Sequence, residues 1–208
     1  MHLEFLPPPP SVAHLVTLFY LYRSDDALVE GVERADVGQI RFMLSGTGTL
    51  RFPQGDVEPS CPVMINGPGT GAAAYRVDGP FHCFGIALRP VGWCSLIGIP
   101  ANERADHVTD GQALFGEEAS QLLARFRDLQ TLSEMMALAV PFLARRARPV
   151  PPEHVRLCEA VRQWLTDNPT PRVQTLFDAI PLSSRQVVRL VNQYFGAPPK
   201  LLERKFRA

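Results

Sequence analysis

Lysine is almost missing from this chain. Only two lysines stand in 208 residues, Lys200 and Lys205, and both fall in the last nine. The remaining positive charge is arginine, unevenly placed. Residues 1–150 hold 12 Arg against 16 Asp and Glu, a balance of −4, whereas residues 151–208 hold 7 Arg and 2 Lys against 5 acids, a balance of +4. A neutral total therefore conceals an acidic body and a basic tail, and only the tail is suited to a polyanion. Cys-x-x-C pairs are also missing. Cys61, Cys83, Cys94 and Cys158 are scattered, which fits buried thiols in a reducing cytosol rather than disulfide staples. No apolar run approaches the ~20 residues of a membrane span. The N-terminal MHLEFLPPPP lacks the basic start and apolar stretch of a secretory signal. The expected location is the cytoplasm.

Catalytic hardware is missing as well. His2, His14, His82, His107 and His154 form no His-x-His motif with a following Glu. Phe81-His82-Cys83-Phe84 comes nearest to a metal-binding strand and lacks the other ligands, so neither metal nor cofactor is expected. Gly46-Thr47-Gly48 and Gly67-Pro68-Gly69-Thr70-Gly71 join strand to strand and open no helix with Lys-Ser/Thr, so they read as turns, not phosphate loops. There is no G-x-S-x-G and no nucleophile beside a base. Arg41, Arg51, Asp56 and Glu58 fit an exposed sheet face. No residue is assigned a catalytic role, and the chain is not expected to be an enzyme.

What is present changes character along the chain. Leu15–Tyr22, Gln39–Leu44, Thr49–Phe52, Pro62–Ile65, Ala72–Val77 and Phe81–Leu88 are apolar or alternating runs, separated by Gly, Pro, Asn and Asp. That spacing predicts short strands of a sandwich or barrel, with a hairpin across Gly46-Thr47-Gly48 and a turn at Asp78-Gly79-Pro80. After Pro90 the period lengthens. Val91–Ile97 reads as a short helix and Gln112–Asp128 as an amphipathic one. Ser133–Arg146 reads as a third helix, capped by Ser133 and bent at Pro141. The Gln112–Arg146 hairpin is a candidate dimer surface. Arg148-Pro149-Val150-Pro151-Pro152 interrupts the helical pattern and marks a boundary. Beyond it come helices at Glu153–Thr166, stopped by Asn168-Pro169-Thr170-Pro171, then at Arg172–Ile180, Ser184–Phe195 and Pro199–Arg207.

The tail carries the informative motif. Ser183 is an N-cap. Val187, Leu190, Val191 and Tyr194 form one apolar stripe. Arg185, Arg189 and Asn192, with Gln186 beside them, lie on the other side, and Gly196 is a left-handed stop. Arg, Gln and Asn are the side chains that bond bidentately to guanine and adenine edges in a major groove. The preceding Val173, Leu176 and Phe177, then Ile180-Pro181-Leu182, supply a short helix and a tight turn, completing helix-turn-helix order. Lys200, Arg204, Lys205 and Arg207 follow on a helix suited to phosphate contacts.

Leu182-Ser183-Ser184-Arg185-Gln186-Val187-Val188-Arg189-Leu190-Val191, followed by Tyr194-Phe195-Gly196 and Pro199-Lys200, resembles the first helix-turn-helix of the AraC/XylS family of bacterial transcription regulators. The resemblance covers about the last 40 residues. Gly79–Gly98 is more loosely similar to a strand, turn and short helix of that family's regulatory domains. Two residues depart from the pattern, Phe177 where a small alanine is usual and Pro181 where the turn glycine is usual. The family's DNA-binding region has two helix-turn-helix units joined by a long helix. This sequence ends as that helix would begin, so the resemblance implies a regulator cut after its first unit.

The resemblance implies an α+β fold: an N-terminal cupin-like β-barrel or sandwich with a helical hairpin (1–147), a Pro-rich linker (148–152) and a small all-α helix-turn-helix domain (153–208). It implies a homodimer on double-stranded promoter DNA, contacted by Arg185, Gln186, Arg189, Asn192, Lys200, Arg204 and Lys205, and a small effector bound by the front domain. Phe42, Phe52, Tyr75, Phe84 and Trp93 fit either an effector pocket or plain core. The alternative is a cupin-like small-molecule-binding protein or enzyme whose C-terminal helices are structural.

Overall fold

The computed structural model describes residues 1–167 and 170–206. The Asn168-Pro169 stop and Arg207 lie outside them. Eight strands are found among the described residues: β1 (His2–Leu6), β2 (Val16–Ser24), β3 (Leu28–Glu33), β4 (Gln39–Arg51), β5 (Val57–Pro59), β6 (Val63–Asn66), β7 (Ala73–Leu88) and β8 (Val108–Asp110). They form one sheet in the order β1-β2-β7-β4-β6-β8, with β3 beside the first half of β7 and β5 beside the end of β4. Every pairing is antiparallel. Eight α-helices follow among the described residues: α1 (Pro90–Leu96), α2 (Gly111–Phe115), α3 (Glu117–Arg127), α4 (Leu132–Arg146), α5 (Pro152–Thr166), α6 (Val173–Ala179), α7 (Ser184–Phe195) and α8 (Pro199–Phe206). The chain is α+β, with its antiparallel sheet first. No described helix is long and apolar enough to cross a membrane.

Two expected turns are not turns. β4 runs unbroken through Gly46-Thr47-Gly48, and its partner β7 runs unbroken through Asp78-Gly79-Pro80. The register of the pair shifts between Met43 and Ser45 and again between Ser45 and Thr47. Gly46 takes φ +84° there, and a Cβ on Gly48 would stand 2.1 Å from the Arg76 carbonyl oxygen. These glycines serve a bulge and a close strand approach, not a reversal.

The two faces of β4 separate two interiors. Ile40 and Phe42 point into the main core with Phe19, Phe84 and Ile86. Phe126 of α3 meets Phe42 and Phe84 at centroid distances of 4.8 Å each. Trp93 of α1 and Phe142 of α4 close the same core. On the opposite face Met43 joins Leu50, Phe52, Met64, Ala73 and Cys83 in a smaller apolar cluster.

The helical hairpin also departs from expectation. Gln112–Asp128 is not one helix: Gly116, at φ +69°, separates α2 from α3. α4 is capped by Thr131, not Ser133, and Glu134 completes a reciprocal capping box. Pro141 lies inside α4 without ending it. After α4 the proline-rich strap is tied to α1. Ser95 Oγ donates to the Arg148 carbonyl at 2.7 Å, and the Arg148 amide donates to the Ser95 carbonyl at 3.1 Å.

Candidate nucleic-acid interface

A second apolar core organises the tail. Leu157, Val161, Trp164 and Leu165 of α5 pack with Leu176 of α6, Val187, Leu190, Val191 and Tyr194 of α7, and Leu202 of α8. Trp164 Nε1 donates to the Arg172 carbonyl at 2.9 Å, holding the start of α6. The two residues that depart from the AraC/XylS pattern are accommodated. Phe177 is half-buried against this core. Pro181 is exposed in a turn that needs no left-handed residue, since Asp106 is the only non-glycine with positive φ among the described residues. The Leu182 amide closes the turn on the Ile180 carbonyl at 2.7 Å.

α7 is built by local chemistry. The Gln186 amide donates to Ser183 Oγ at 3.4 Å, and Gln186 Oε1 accepts from the Ser183 amide at 3.0 Å and hydroxyl at 2.8 Å. At the far end Gly196 adopts φ +75°, and its amide donates to the Asn192 carbonyl at 3.0 Å. Between these ends one stripe is buried and the other open. Arg185 and Arg189, one helical turn apart, are exposed. Asn192 is half-buried. Gln186 is exposed, but its carbonyl oxygen is committed to the cap. Val188, 37% exposed, adds an apolar point to the outer surface.

α8 divides its cations. Lys200 and Arg204 are exposed. Lys205 is not: Nζ donates to the Gly69 carbonyl in the loop between β6 and β7. Burial lowers the Lys205 pKa, opposed by the charges of Asp106 and Asp36. Its place on the helix suited it to phosphate, but in this structure it is turned onto the front half of the chain. The whole module is seated there. α7 packs on α1 and on a 3₁₀ turn at Ala101–Glu103, and α5 also packs on α1.

The front half holds a small cavity of about 30 Å³, lined by Glu33, Asp36, Gln39, Arg41 and Asn66 together with apolar Val37, Leu50 and Phe52, with Gly67, Gly69 and Gly71 among its walls. Arg41, expected on an exposed face, is only 9% exposed. Its guanidinium pairs with Glu33 at 2.7 Å, and Nε donates to the Tyr20 hydroxyl at 2.8 Å. The Tyr20 hydroxyl donates to Gln39 Oε1 at 2.6 Å. Burial alone would lower the Arg41 pKa; Tyr20 and Glu33 outweigh it and hold the group charged. The misreading has a plain cause: over residues 39–43 both faces of β4 are buried, so alternation does not turn Arg41 to solvent. Glu58, also expected exposed, binds His107 Nδ1 at 2.6 Å and the Val108 amide.

Of the aromatic candidates for an effector pocket, Phe52 lines this cavity. Phe42, Phe84 and Trp93 lie in the main core, and Tyr75 packs near Phe81 at 6.3 Å. Asn66, 6% exposed, was not singled out in the sequence, and its Oδ1 has no hydrogen-bond partner among the described residues. A buried amide in a short apolar strand was the available signal.

A search of curated proteins by sequence matches none. Among solved structures, ToxT from Vibrio cholerae O395, solved with (E)-4-(8-methylnaphthalen-1-yl)but-3-enoic acid bound, superposes with TM-score 0.48 at 8% identity, over 100% of this chain and 81% of its own. The AraC-like transcriptional activator CuxR superposes with TM-score 0.34 at 11% identity, over 97% of this chain and 84% of its own. Likenesses this distant say nothing of the residues that act. Residues 4–110, just over half of the chain, match the family model of a domain of unknown function, DUF6597, and the chain belongs to that family.

Proposed function

We propose that the chain is a DNA-binding transcription regulator of the AraC type, with α7 as the helix that enters the major groove of promoter DNA. One observation carries the reading. α6, a four-residue turn and a fully capped α7 leave Arg185 and Arg189 exposed on one face while the opposite stripe is buried. Such a helix presents two guanidinium forks one turn apart, about 6 Å along its axis, to base edges in a major groove. Lys200 and Arg204 flank it as phosphate contacts. Asn192 lies at the end of the same face, and Gln186 acts first as a cap.

In this reading the sheet and α1–α4 form the sensing half, the α2–α4 hairpin is the surface for a homodimer, and no residue is catalytic. The cavity behind Phe52 holds a water or a very small polar group, since one water needs roughly 10–15 Å³. A larger effector has to displace side chains.

The test is selection of bound duplexes from a random pool, followed by titration of the recovered sequence. Arg189→Ala should cost about 1–3 kcal/mol and relax preference at one base position. A variant that binds as tightly and selectively as the parent removes α7 from the groove.

A further inference from the structure

We propose that Lys205 is a clasp: the loop Gly67–Gly71 with Asp36 and Asp106 competes with DNA phosphate for its ammonium, so that seating of the tail on the front half sets DNA affinity. The proposal rests on the DNA-binding reading above.

The socket is built, not incidental. Asp106 is 6% exposed and sits at φ +57°, a left-handed position that L side chains rarely take. Its carboxylate accepts from the Thr70 amide at 2.7 Å and from the Thr70 hydroxyl. Its amide donates to the Pro68 carbonyl at 3.2 Å, and the Gly69 amide donates to the Asp36 carbonyl at 2.9 Å. These bonds fix the loop so that the Gly69 carbonyl faces α8. Lys205 takes that carbonyl, and Asp106 and Asp36 both favour its charge.

A second contact seats the same corner. A Cβ on Gly196, the residue that ends α7, would meet Pro68 at 3.1 Å and the Ala101 carbonyl oxygen at 3.4 Å. The α7–α8 corner therefore rests on one loop at two points. The charges agree, since an acidic front half offers carboxylates to a basic tail.

An ammonium is a compact point charge with three donors. Held on the Gly69 carbonyl it faces the front half, and in this proposal it reaches a phosphate only by leaving that socket. Arg185 and Arg189 stay open while the clasp is closed, so the clasp tunes affinity and does not block the reading face. Asp36, Gly67, Gly69 and Gly71 also wall the small cavity to which Asn66 contributes. A molecule filling that space bears on the clasp directly.

Two measurements on the full chain decide it. The chain has two lysines, so acylation with a water-soluble ester, read by mass spectrometry, gives an internal ratio. In the parent, Lys205 should react on the order of tenfold slower than the exposed Lys200, and Asp106→Asn or Asp36→Asn should bring the two together. In DNA titrations the same substitutions should tighten binding roughly three- to tenfold. They should also steepen the salt dependence by about one phosphate contact, a slope change near 0.9. In a Lys205→Met background both effects should vanish, while Asp56→Asn controls for simple loss of negative charge. Asp36→Asn guards against collapse of the loop in the Asp106 variant. Equal acylation of Lys200 and Lys205 in the parent overturns the clasp. A protected Lys205 whose release leaves DNA affinity unchanged overturns the competition. If no variant binds DNA, the functional reading fails and the competition with it, while the acylation ratio still decides the contact.

Discussion

Gln186 Oε1 folds back to the Ser183 hydroxyl at 2.8 Å, which commits to the helix cap the acceptor expected to read a base. The side chain therefore stabilises α7 before it touches anything else. Ser183→Ala should cost about 0.5–2 kcal/mol of stability in a urea melt. Gln186→Glu keeps the capping geometry, because glutamate serves equally in the box. It should hold stability near the parent while weakening DNA binding by added negative charge. Gln186→Ala should lose stability. An unchanged melt for Gln186→Ala would show that the cap is idle.

Glu118 joins α3 to α4 through Arg145 at 2.5 Å and Arg146 at 2.9 Å. Arg146 also lies 5.4 Å from the ring centres of both Phe115 and Phe142. The hydrogen bonds from Arg145 and then Arg146 hold the Glu118 pKa below its usual value. A carboxylate depressed in the folded state stabilises above its unfolded pKa of about 4.3, and the gain is lost as pH falls through the lower folded value. These side chains are a third or more exposed, apart from Arg146 at 30%. Glu118→Gln should therefore cost no more than about 1 kcal/mol at pH 7. The difference from the parent should shrink as pH falls below about 4.3. Thermal melts at pH 7 and pH 3 measure it; a gap that persists at pH 3 would assign the cost to packing.

The tail was legible in the sequence because its signals are local. Ser183, the stripe from Val187 to Tyr194 and the stop at Gly196 all act within one helix, and each stands where the pattern put it. The sheet was less legible because glycine has two uses. Gly46, Gly48 and Gly79 read as turns and instead let two long strands cross closely. β1, β3, β5 and β8 went unread because their extended form depends on neighbours distant in sequence, as Leu28–Glu33 depends on Ala73–Asp78. Lys205 had no sequence signal for its partner, since the acceptor at Gly69 is a backbone carbonyl that any residue carries.

Tyr20 crosses the sheet over Gly85, and that contact fixes the buried polar network. A Cβ on Gly85 would stand 1.9 Å from the Tyr20 ring. The ring cannot swing aside freely, because its hydroxyl is held by Gln39 at 2.6 Å and Arg41 at 2.8 Å. Gly85→Ala should cost about 1–3 kcal/mol by overpacking, plus whatever bonds the tilted ring gives up. Arg41→Met leaves Glu33 without its cation; breaking a buried pair costs about 3–5 kcal/mol. Glu33 is a third exposed, which places the loss at the lower end. Urea melts rank the two, and a near-neutral Arg41→Met would mean that the pair adds nothing over apolar filling.

The cysteines report how the two cores come apart. Burial pushes the Cys61 thiol up to about 11 and those of Cys83 and Cys94 up to about 12, and it raises Cys158 further in the same direction. Against an ordinary thiol near 8.5, the thiolate fraction near neutral pH falls by a factor on the order of 10²–10⁴. Native chain at pH 8 should therefore react slowly with a disulfide reagent at all four positions. The positions differ in what opens them. Cys83 lies between the strands, facing Phe52 and Met64. Cys94 on α1 approaches the Gln193 carbonyl of α7 at 3.9 Å, and Cys158 belongs to the tail core. Cys83 sits on β7, which pairs with β2, β3 and β4, whereas the tail is seated through α1 and the 3₁₀ turn, and units tied in by fewer contacts open at lower free energy. Under increasing urea, Cys94 and Cys158 should become reactive together, before Cys83 does. Mass spectrometry of alkylated peptides at each urea concentration resolves the order. Simultaneous release of all four would show that seating of α7 on α1 makes the sheet and the tail one cooperative unit, in which the clasp cannot open without unfolding the chain.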